Sequence, residues 1–286
     1  MVTHETLAEV ATQQSAQELE NSLIQMVEEA GAAILAIYET DFDVANKDDD
    51  SPLTQADLAS HRVLVAGLNK FTPDVPVVSE ESELPSYEQR SGWSYYWMID
   101  PLDGTKEFVN RNGEFTVNVA LIQGDTPVWG IVGVPVQARV FVGDVKARSA
   151  SLLEKGQRTQ LRGRSMSREQ SSLDVVASRS HGGERLETYL DQLGGHFADV
   201  KRLPVGSSLK LCVLAEGAAD FYPRLGPTSE WDIAAAQAVL VGAGGAVSKF
   251  DHSPLQYSKA DILNPEFYAV ADAAFNWPQL LPDVPA

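Results

Sequence analysis

One cysteine, Cys212, stands in a chain of 286 residues, so no intrachain disulfide can form and a reducing, cytoplasmic setting is the expectation. Histidines number only five, and none is spaced with the cysteine in the manner of zinc ligands. Any metal must therefore be met by oxygen donors. Positive charge is also scarce: 22 Lys and Arg against 40 Asp and Glu leave a net charge of −18. A surface of that sign repels a nucleic-acid polymer and an anionic membrane. A small phosphorylated ligand stays compatible, because a few local cations or bound metal ions invert the local field. Long apolar runs are missing. The least polar stretch, residues 233–247, is too short and too rich in Gly and Ala to span a membrane, and the first 17 residues lack the basic start and apolar core of an export signal. No internal repeat or low-complexity tract interrupts the chain.

What is present is core-forming material, 44% of the residues, enough for one large domain or two modest ones. Ser15-x-x-Glu18 has the form of a capping box, and Leu19, Leu23, Met26, Ala30, Ile34 and Ile37 behind it repeat with helical period. Lys47 and an acidic run precede a second helix, in which Thr54 as N-cap with Asp57 three residues on is a sufficient structural account of both. Residues 75–79 read as a short strand ending in Glu80-Glu81. Residues 114–122, 128–134 and 139–142 alternate apolar and polar side chains as an antiparallel meander. Residues 145–172, rich in Lys, Arg and Ser, read as an exposed connection between two halves. Beyond it strands and helices alternate, which predicts a largely parallel sheet. A helix over 233–243 follows, with Asp232 placed as its N-cap.

The densest chemistry lies at Tyr95 to Phe108. A buried strand over 95–99 delivers Asp100 and Asp103 into a turn set by Pro101, and Gly104-Thr105 then opens a helical turn whose amides favour a phosphate oxygen. Two carboxylates so close repel each other unless a cation sits between their oxygens, and a hard divalent ion suits such donors. Solvated acids at an ordinary turn are the competing account of this stretch alone. Cys212 sits in an apolar helical pattern and no histidine falls in the acidic motifs.

Taken together, Ser79-Glu80-Glu81-Ser82, Ile99-Asp100-Pro101-Leu102-Asp103-Gly104-Thr105 and Trp231-Asp232-Ile233-Ala234-Ala235 resemble the Mg²⁺-dependent inositol monophosphatase superfamily, over about residues 47–264. Within it the chain is similar to the bacterial CysQ-type 3′(2′),5′-bisphosphate nucleotidases. The stretches 51–57, 104–108, 111–118, Ser178-Arg179-Ser180-His181, Gly206-Ser207-Ser208-Leu209-Lys210 and Tyr222-Pro223-Arg224 carry that likeness. Ala236 departs from it, since the family usually has glycine there. The resemblance implies a mixed α/β fold layered α/β/α/β/α, with an antiparallel N-terminal sheet and a mostly parallel C-terminal sheet. Residues 1–160 would bring most metal ligands and 161–286 Asp232 and substrate contacts, together one catalytic unit.

By the same resemblance, Glu80, Asp100 and the Leu102 carbonyl would hold one Mg²⁺, and Asp100, Asp103 and Asp232 a second, with room for a third, weaker ion near Glu80. Two such ions roughly 4 Å apart clamp the attacking and leaving oxygens of an in-line displacement. Asp57, Thr105 and Glu80 would be catalytic, with Asp57 and Thr105 orienting and deprotonating the attacking water. Leu102, Asp103, Gly104, Thr105 and Asp232 would surround the scissile phosphate. Lys210 and Arg224 would hold a remote 5′-phosphate, and Ser208 and His181 the sugar or base; a backbone-satisfied His181 and an Arg224 that merely braces Asp232 are the bland alternatives. The implied reaction is removal of the 3′-phosphate from adenosine 3′,5′-bisphosphate, giving AMP, in sulfur assimilation and nucleotide recycling, with sensitivity to Li⁺. An inositol-phosphate or sugar-phosphate phosphatase is the competing enzyme, and a phosphonucleotide-binding regulator the competing non-enzyme. Monomer and dimer stay equally open. Peripheral attachment to an inner membrane is implied by resemblance alone.

Overall fold

A computed structural model describes residues 5–40, 52–177 and 183–285. Short α1 (Glu5–Ala8) leads to α2 (Ala16–Tyr38), whose Ser15 and Glu18 form the reciprocal capping box and whose Leu19, Leu23, Met26, Ala30 and Ile34 are buried on one face. Next, α3 spans Pro52–Phe71, so Thr54 lies inside the first turn and is not the N-cap expected of it. The helix starts earlier because proline suits a first turn, where the N–H groups have no intrahelical acceptor. The acidic run 48–50 lies outside the described residues.

A seven-stranded sheet follows in strictly sequential order: β1 (Val77–Ser79), β2 (Tyr95–Asp103), β3 (Thr116–Gln123), β4 (Thr126–Val134), β5 (Arg139–Asp144), β6 (Ser149–Glu154) and β7 (Gln157–Gln160). β1 pairs with β2 in parallel, and the remaining pairs are antiparallel. Two short helices punctuate it, α4 (Tyr87–Arg90) and α5 (Thr105–Val109). Residues 145–160 are thus not a connection but the last two strands of the meander. β7 is an edge strand exposed at every position, so its sequence carries no apolar alternation to betray it.

The second sheet is built from β8 (Ser172–Ala177), β9 (Asp199–Pro204), β10 (Phe221–Arg224), β11 (Ala246–Lys249) and β12 (Phe267–Val270), ordered β11-β12-β10-β8-β9. It is parallel across β9, β8 and β10 and antiparallel beyond, hence evenly mixed where mostly parallel pairing was expected. β10 and β11 are joined across α8, whereas β12 follows β11 through a connection without a helix and enters between them antiparallel to both. Three helices accompany this sheet, α6 (Glu184–Leu193), α7 (Leu209–Ala215) and α8 (Ala234–Gly242).

Period-two alternation distributes these elements into five layers. Trp97, Ile99, Val117, Val119 and Leu121 face α2 and α3 in one core. Their neighbours Tyr96, Met98, Ala120 and Ile122 face the other way, into a core shared with α7, α8 and the near face of the second sheet. The far face of that sheet, with Val175, Phe221 and Tyr268, buries Leu186, Tyr189 and Leu190 of α6. The middle layer is unusually close: a Cβ on Gly130 would lie 2.3 Å from the Ala235 carbonyl oxygen, and one on Gly143 2.4 Å from Val239 Cα. Glycine at those strand positions lets the α8 backbone rest directly on β4 and β5.

Candidate active site

Parallel pairing aligns Ser79 with Ile99, so the next residues, Glu80 and Asp100, emerge side by side. Asp100 shares strand parity with Tyr96 and Met98 and points into the middle layer, 1% exposed. The register of β2 against β3 then shifts between Asp100 and Asp103. A bulge, not the expected turn, accommodates Pro101, which cannot donate to the ladder. It is fixed by the Ser60 hydroxyl of α3, which donates to the Pro101 carbonyl at 2.7 Å, and by the Leu102 N–H, which donates to Asp100 Oδ1 at 3.1 Å. The extra residue flips parity: the Leu102 side chain lies in the outer core, while the residue also borders the cleft, leaving its backbone to face the cavity. Gly104 follows at φ 101°, where a Cβ would meet Phe115 Cα and Ser207 Cβ at 3.2 Å. Thr105 begins α5 and is exposed at the cleft, but five residues of helix give little macrodipole for a phosphate.

From the other half of the chain come Lys210 of α7, Arg224 at the end of β10 and Asp232 in the turn before α8. Asp232 precedes α8, whose N-cap is Ile233; its Oδ2 accepts the Ser229 N–H at 2.9 Å, closing a turn instead of capping the helix as expected. An aspartate cap would have to accept from the helix ahead of it, and this one reaches backwards. Glu80, Asp100 and Asp232 each offer an oxygen within 4.8 Å of the others. Asp103 stands beside this trio, its Oδ2 taken by the Ser208 N–H and, at 3.4 Å, by the Thr116 hydroxyl. The cleft these residues line has a volume of about 280 Å³.

Lys210 is buried at 6% exposure; its ammonium donates to the Ser207 carbonyl at 2.8 Å and lies 5.8 Å from the centre of the Tyr222 ring. Among the described residues no carboxylate pairs with it at contact distance. Arg224 gives Nε to the Gly226 carbonyl at 3.0 Å and an Nη to that of Pro227 at 2.6 Å, shaping the loop that leads to Asp232. Ser208 is placed differently from its expected contact with sugar or base. Its hydroxyl is buried, donating to Asn118 Oδ1 at 2.7 Å and lying 2.8 Å from Thr116 Oγ, so it braces the cleft wall. His181 lies outside the described residues.

Thr116, Asn118 and the second acid Glu81 join this constellation without having been assigned a part from sequence. The signal for the first two is legible: polar residues at the inward positions of a strand otherwise apolar on both faces. Asp57, in α3, faces Glu80 and Glu81 from the outer side, and its Oδ1 is a buried atom without a hydrogen-bond partner. No hydrogen bond joins it to Thr105 among the described residues. His61, one turn further on, holds Ser79 with Nδ1 2.9 Å from its hydroxyl.

Charge crowding governs the electrostatics. Burial first, then Asp103, Glu80 and Asp232, push Asp100 well above the ordinary carboxyl range. Loss of solvent and then Asp232 raise Asp103 to about 7, against the opposing pull of Lys210. Glu80 reaches about 7 through desolvation and then Asp103 and Glu81, and Asp232 about 6 mainly through burial. Asp57 is pushed to about 9 by burial, then by Glu81 and Glu80. Five acids that resist ionising together, an all-oxygen donor set and an orphaned Asp57 oxygen are what a hard divalent cation relieves. The residues present fit such ions.

The sequence matches the inositol monophosphatase family over residues 15–276. The chain belongs to that family. It is 45% identical over 247 residues to the 3′(2′),5′-bisphosphate nucleotidase CysQ of Salmonella typhimurium, covering 85% of this chain and 96% of the relative. The CysQ nucleotidase of Escherichia coli K12 is 44% identical over 250 residues, covering 86% and 97%. Among solved structures, CysQ of Bacteroides thetaiotaomicron, a bacterial member of the family, superposes with a TM-score of 0.78 at 40% identity, over 88% of this chain and 96% of the other. An inositol monophosphatase from Zymomonas mobilis, at 23% identity and TM-score 0.73 over 93% and 98%, shares the fold. Among the described residues no helix is long and apolar enough to cross a membrane.

Proposed function

We propose that this protein is a Mg²⁺-dependent 3′(2′),5′-bisphosphate nucleotidase that hydrolyses the 3′-phosphate of adenosine 3′,5′-bisphosphate to AMP and phosphate. The observation that carries this reading is the meeting of Glu80 and Asp100, at the end of the first sheet's β1 and β2, with Asp232, from the turn before α8, within 4.8 Å beside a buried lysine. The identity to the CysQ nucleotidases over most of the chain supports the substrate class. Glu80, Asp100, Asp232, Asp103 and the Leu102 carbonyl would hold two ions, and a third, weaker one near Glu80 belongs to the same reading. Bound there, divalent ions neutralise the phosphoryl oxygens and acidify water.

The chain's own residues do the rest. The Thr105 hydroxyl, exposed at the cleft, orients the attacking water; burial and crowding by Glu81 and Glu80 keep Asp57 protonated up to about pH 9, and cations bound beside Glu80 would hold it ionised, so that its Oδ1 can take that water's proton. Lys210 supplies a fixed positive charge for the remote 5′-phosphate, and Tyr222 under its ammonium keeps it desolvated. Arg224 shapes the adjoining loop with two of its N–H groups and turns its remaining Nη to the same phosphate. Ser208 acts through Asp103 and Thr116. Residues 1–160 and 161–286 act as one unit around the shared middle core. A cytoplasmic setting and a freely diffusing phosphorylated nucleotide as substrate belong to the same reading, with monomer and dimer both compatible.

Phosphate release with Mg²⁺ from adenosine 3′,5′-bisphosphate, its 2′,5′ isomer, inositol 1-phosphate and fructose 1,6-bisphosphate tests this. A large preference for the two nucleotides is expected. Preference for inositol or fructose phosphate would keep the carboxylate site and overturn the roles of Lys210 and Arg224.

A further inference from the structure

Glu230, two residues before Asp232, is 0% exposed. Its carboxylate accepts the Ser258 N–H at 2.9 Å, the Lys259 N–H at 3.1 Å and the Lys259 ammonium. Its own N–H donates to the Ile262 carbonyl at 3.0 Å, and the Asn264 side chain donates to the Ser229 carbonyl at 2.7 Å. The turn bearing Asp232 is therefore gripped along its length by residues 258–264. That segment is fastened in turn to the first sheet's side of the molecule. Arg90, 1% exposed at the end of α4, donates to the Lys259 carbonyl at 3.0 Å and to that of Pro85 at 2.9 Å. The Tyr257 N–H donates to the Asp125 carbonyl at 2.9 Å in the β3–β4 hairpin, and its hydroxyl to Gln237 of α8 at 2.7 Å.

None of Glu230, Lys259, Arg90 or Tyr257 borders the cleft. A buried carboxylate paired with a partly exposed lysine is an expensive way to close a turn, because desolvation of the acid consumes much of the attraction. Its return is directional: it fixes one backbone position where ordinary packing would tolerate several. Glu80 and Asp100 ride on β1 and β2, whereas Asp232 reaches them from the far side of the middle layer. Their mutual spacing thus depends on whatever spans both sides, and the 257–264 segment does so.

We infer that Glu230 and Lys259, anchored on Arg90, are positioning residues that fix Asp232 against Glu80 and Asp100 and so set the affinity for the cation that Asp232 would hold. The inference rests on the proposed role of Asp232 as a ligand. It is tested on the full chain by titrating the protein with Tb³⁺, whose luminescence Trp231 beside Asp232 can sensitise, and with Mg²⁺ by calorimetry. Lys259→Met and Glu230→Gln should each weaken both metals by about 10- to 100-fold. Turnover at saturating Mg²⁺ should stay within about threefold, since the reacting groups are unchanged, and Lys259→Arg should restore most of the affinity. Lowered melting temperature with unaltered metal affinity would mean a merely structural clasp and would overturn the inference. If Glu230→Gln fails to fold, Lys259→Met decides alone, as its ammonium is partly exposed and Glu230 keeps two backbone donors. Asp232→Asn separates the two ideas. Metal affinity unchanged in that variant sinks the ligand assignment itself, whereas a loss there without one in Lys259→Met sinks only the positioning role.

Discussion

Asp57 combines a buried, unpartnered oxygen with a proton held to about pH 9 by burial and by Glu81 and Glu80. Asparagine copies the shape of the protonated acid but can neither ionise nor accept the proton of an attacking water. Asp57→Asn should therefore cut turnover by about a hundredfold or more, with a melting temperature in EDTA equal to or above that of the parent. Circular dichroism melts and phosphate release check both halves, and near-normal turnover would remove Asp57 from the mechanism. Lys210 makes a different prediction. Its replacement by methionine keeps the packing on Tyr222 and removes the charge, so kcat/KM for a bisphosphate should fall far more than for a monophosphate; equal losses would take Lys210 out of substrate choice. The acids at strand ends were legible as sequence because their chemistry is local. Ser208 was not, since only the folded chain reveals that Thr116 and Asn118 already occupy its hydroxyl. Nor was the backward reach of Asp232 to Ser229, which a helical pattern starting one residue later disguises as a cap.

The strands and helices that carry alternating or 3.6-residue patterns, α2, β3 and β4, fall where their sequence puts them, within a residue or two. Where one face is water on both sides of the pattern, as in β7, the signal vanishes and the element reads as a linker. The bulge in β2 was hidden for another reason: Pro101 announces an interruption, but only pairing with β3 turns that interruption into one extra residue instead of a chain reversal. The contact of α8 with β4 and β5 yields a sharp test. In Gly130→Ala the new methyl meets the Ala235 carbonyl, part of the turn of helix that follows Asp232. Overpacking of this kind costs about 1–3 kcal/mol, so urea unfolding should show a lower midpoint, and the displaced helix should raise the Mg²⁺ concentration needed for half-maximal activity. An unaltered midpoint would mean that α8 shifts freely. Ala236, where related chains usually have glycine, is fully buried in the same middle core, and nothing in the structure explains the substitution.

Across the molecule, crowded acids tie stability to pH and to metal. Asp232, Glu80, Asp103 and Asp57 have folded pKa values of about 6, 7, 7 and 9, all above those of unfolded carboxyls. The folded chain therefore binds these protons more tightly than the unfolded one, and their contribution is whole below about pH 4 and lost progressively as pH rises from about 4 to 9. In EDTA the melting temperature should fall over that window. Mg²⁺ should restore it at pH 8.5 and add little at pH 5, and an increment independent of pH, measured by differential scanning fluorimetry, would refute the account. The same middle layer that presents these acids also binds the chain's history. Because α8 touches β4 and β5 through backbone at Gly130 and Gly143, a gene exchange that brought in a foreign second half could succeed only if the incoming helix surface matched those two glycines. Chimaeras joined near residue 165 pair β4 and β5 of one parent with α8 of the other, and should be soluble only when the incoming helix backbone can seat against Gly130 and Gly143.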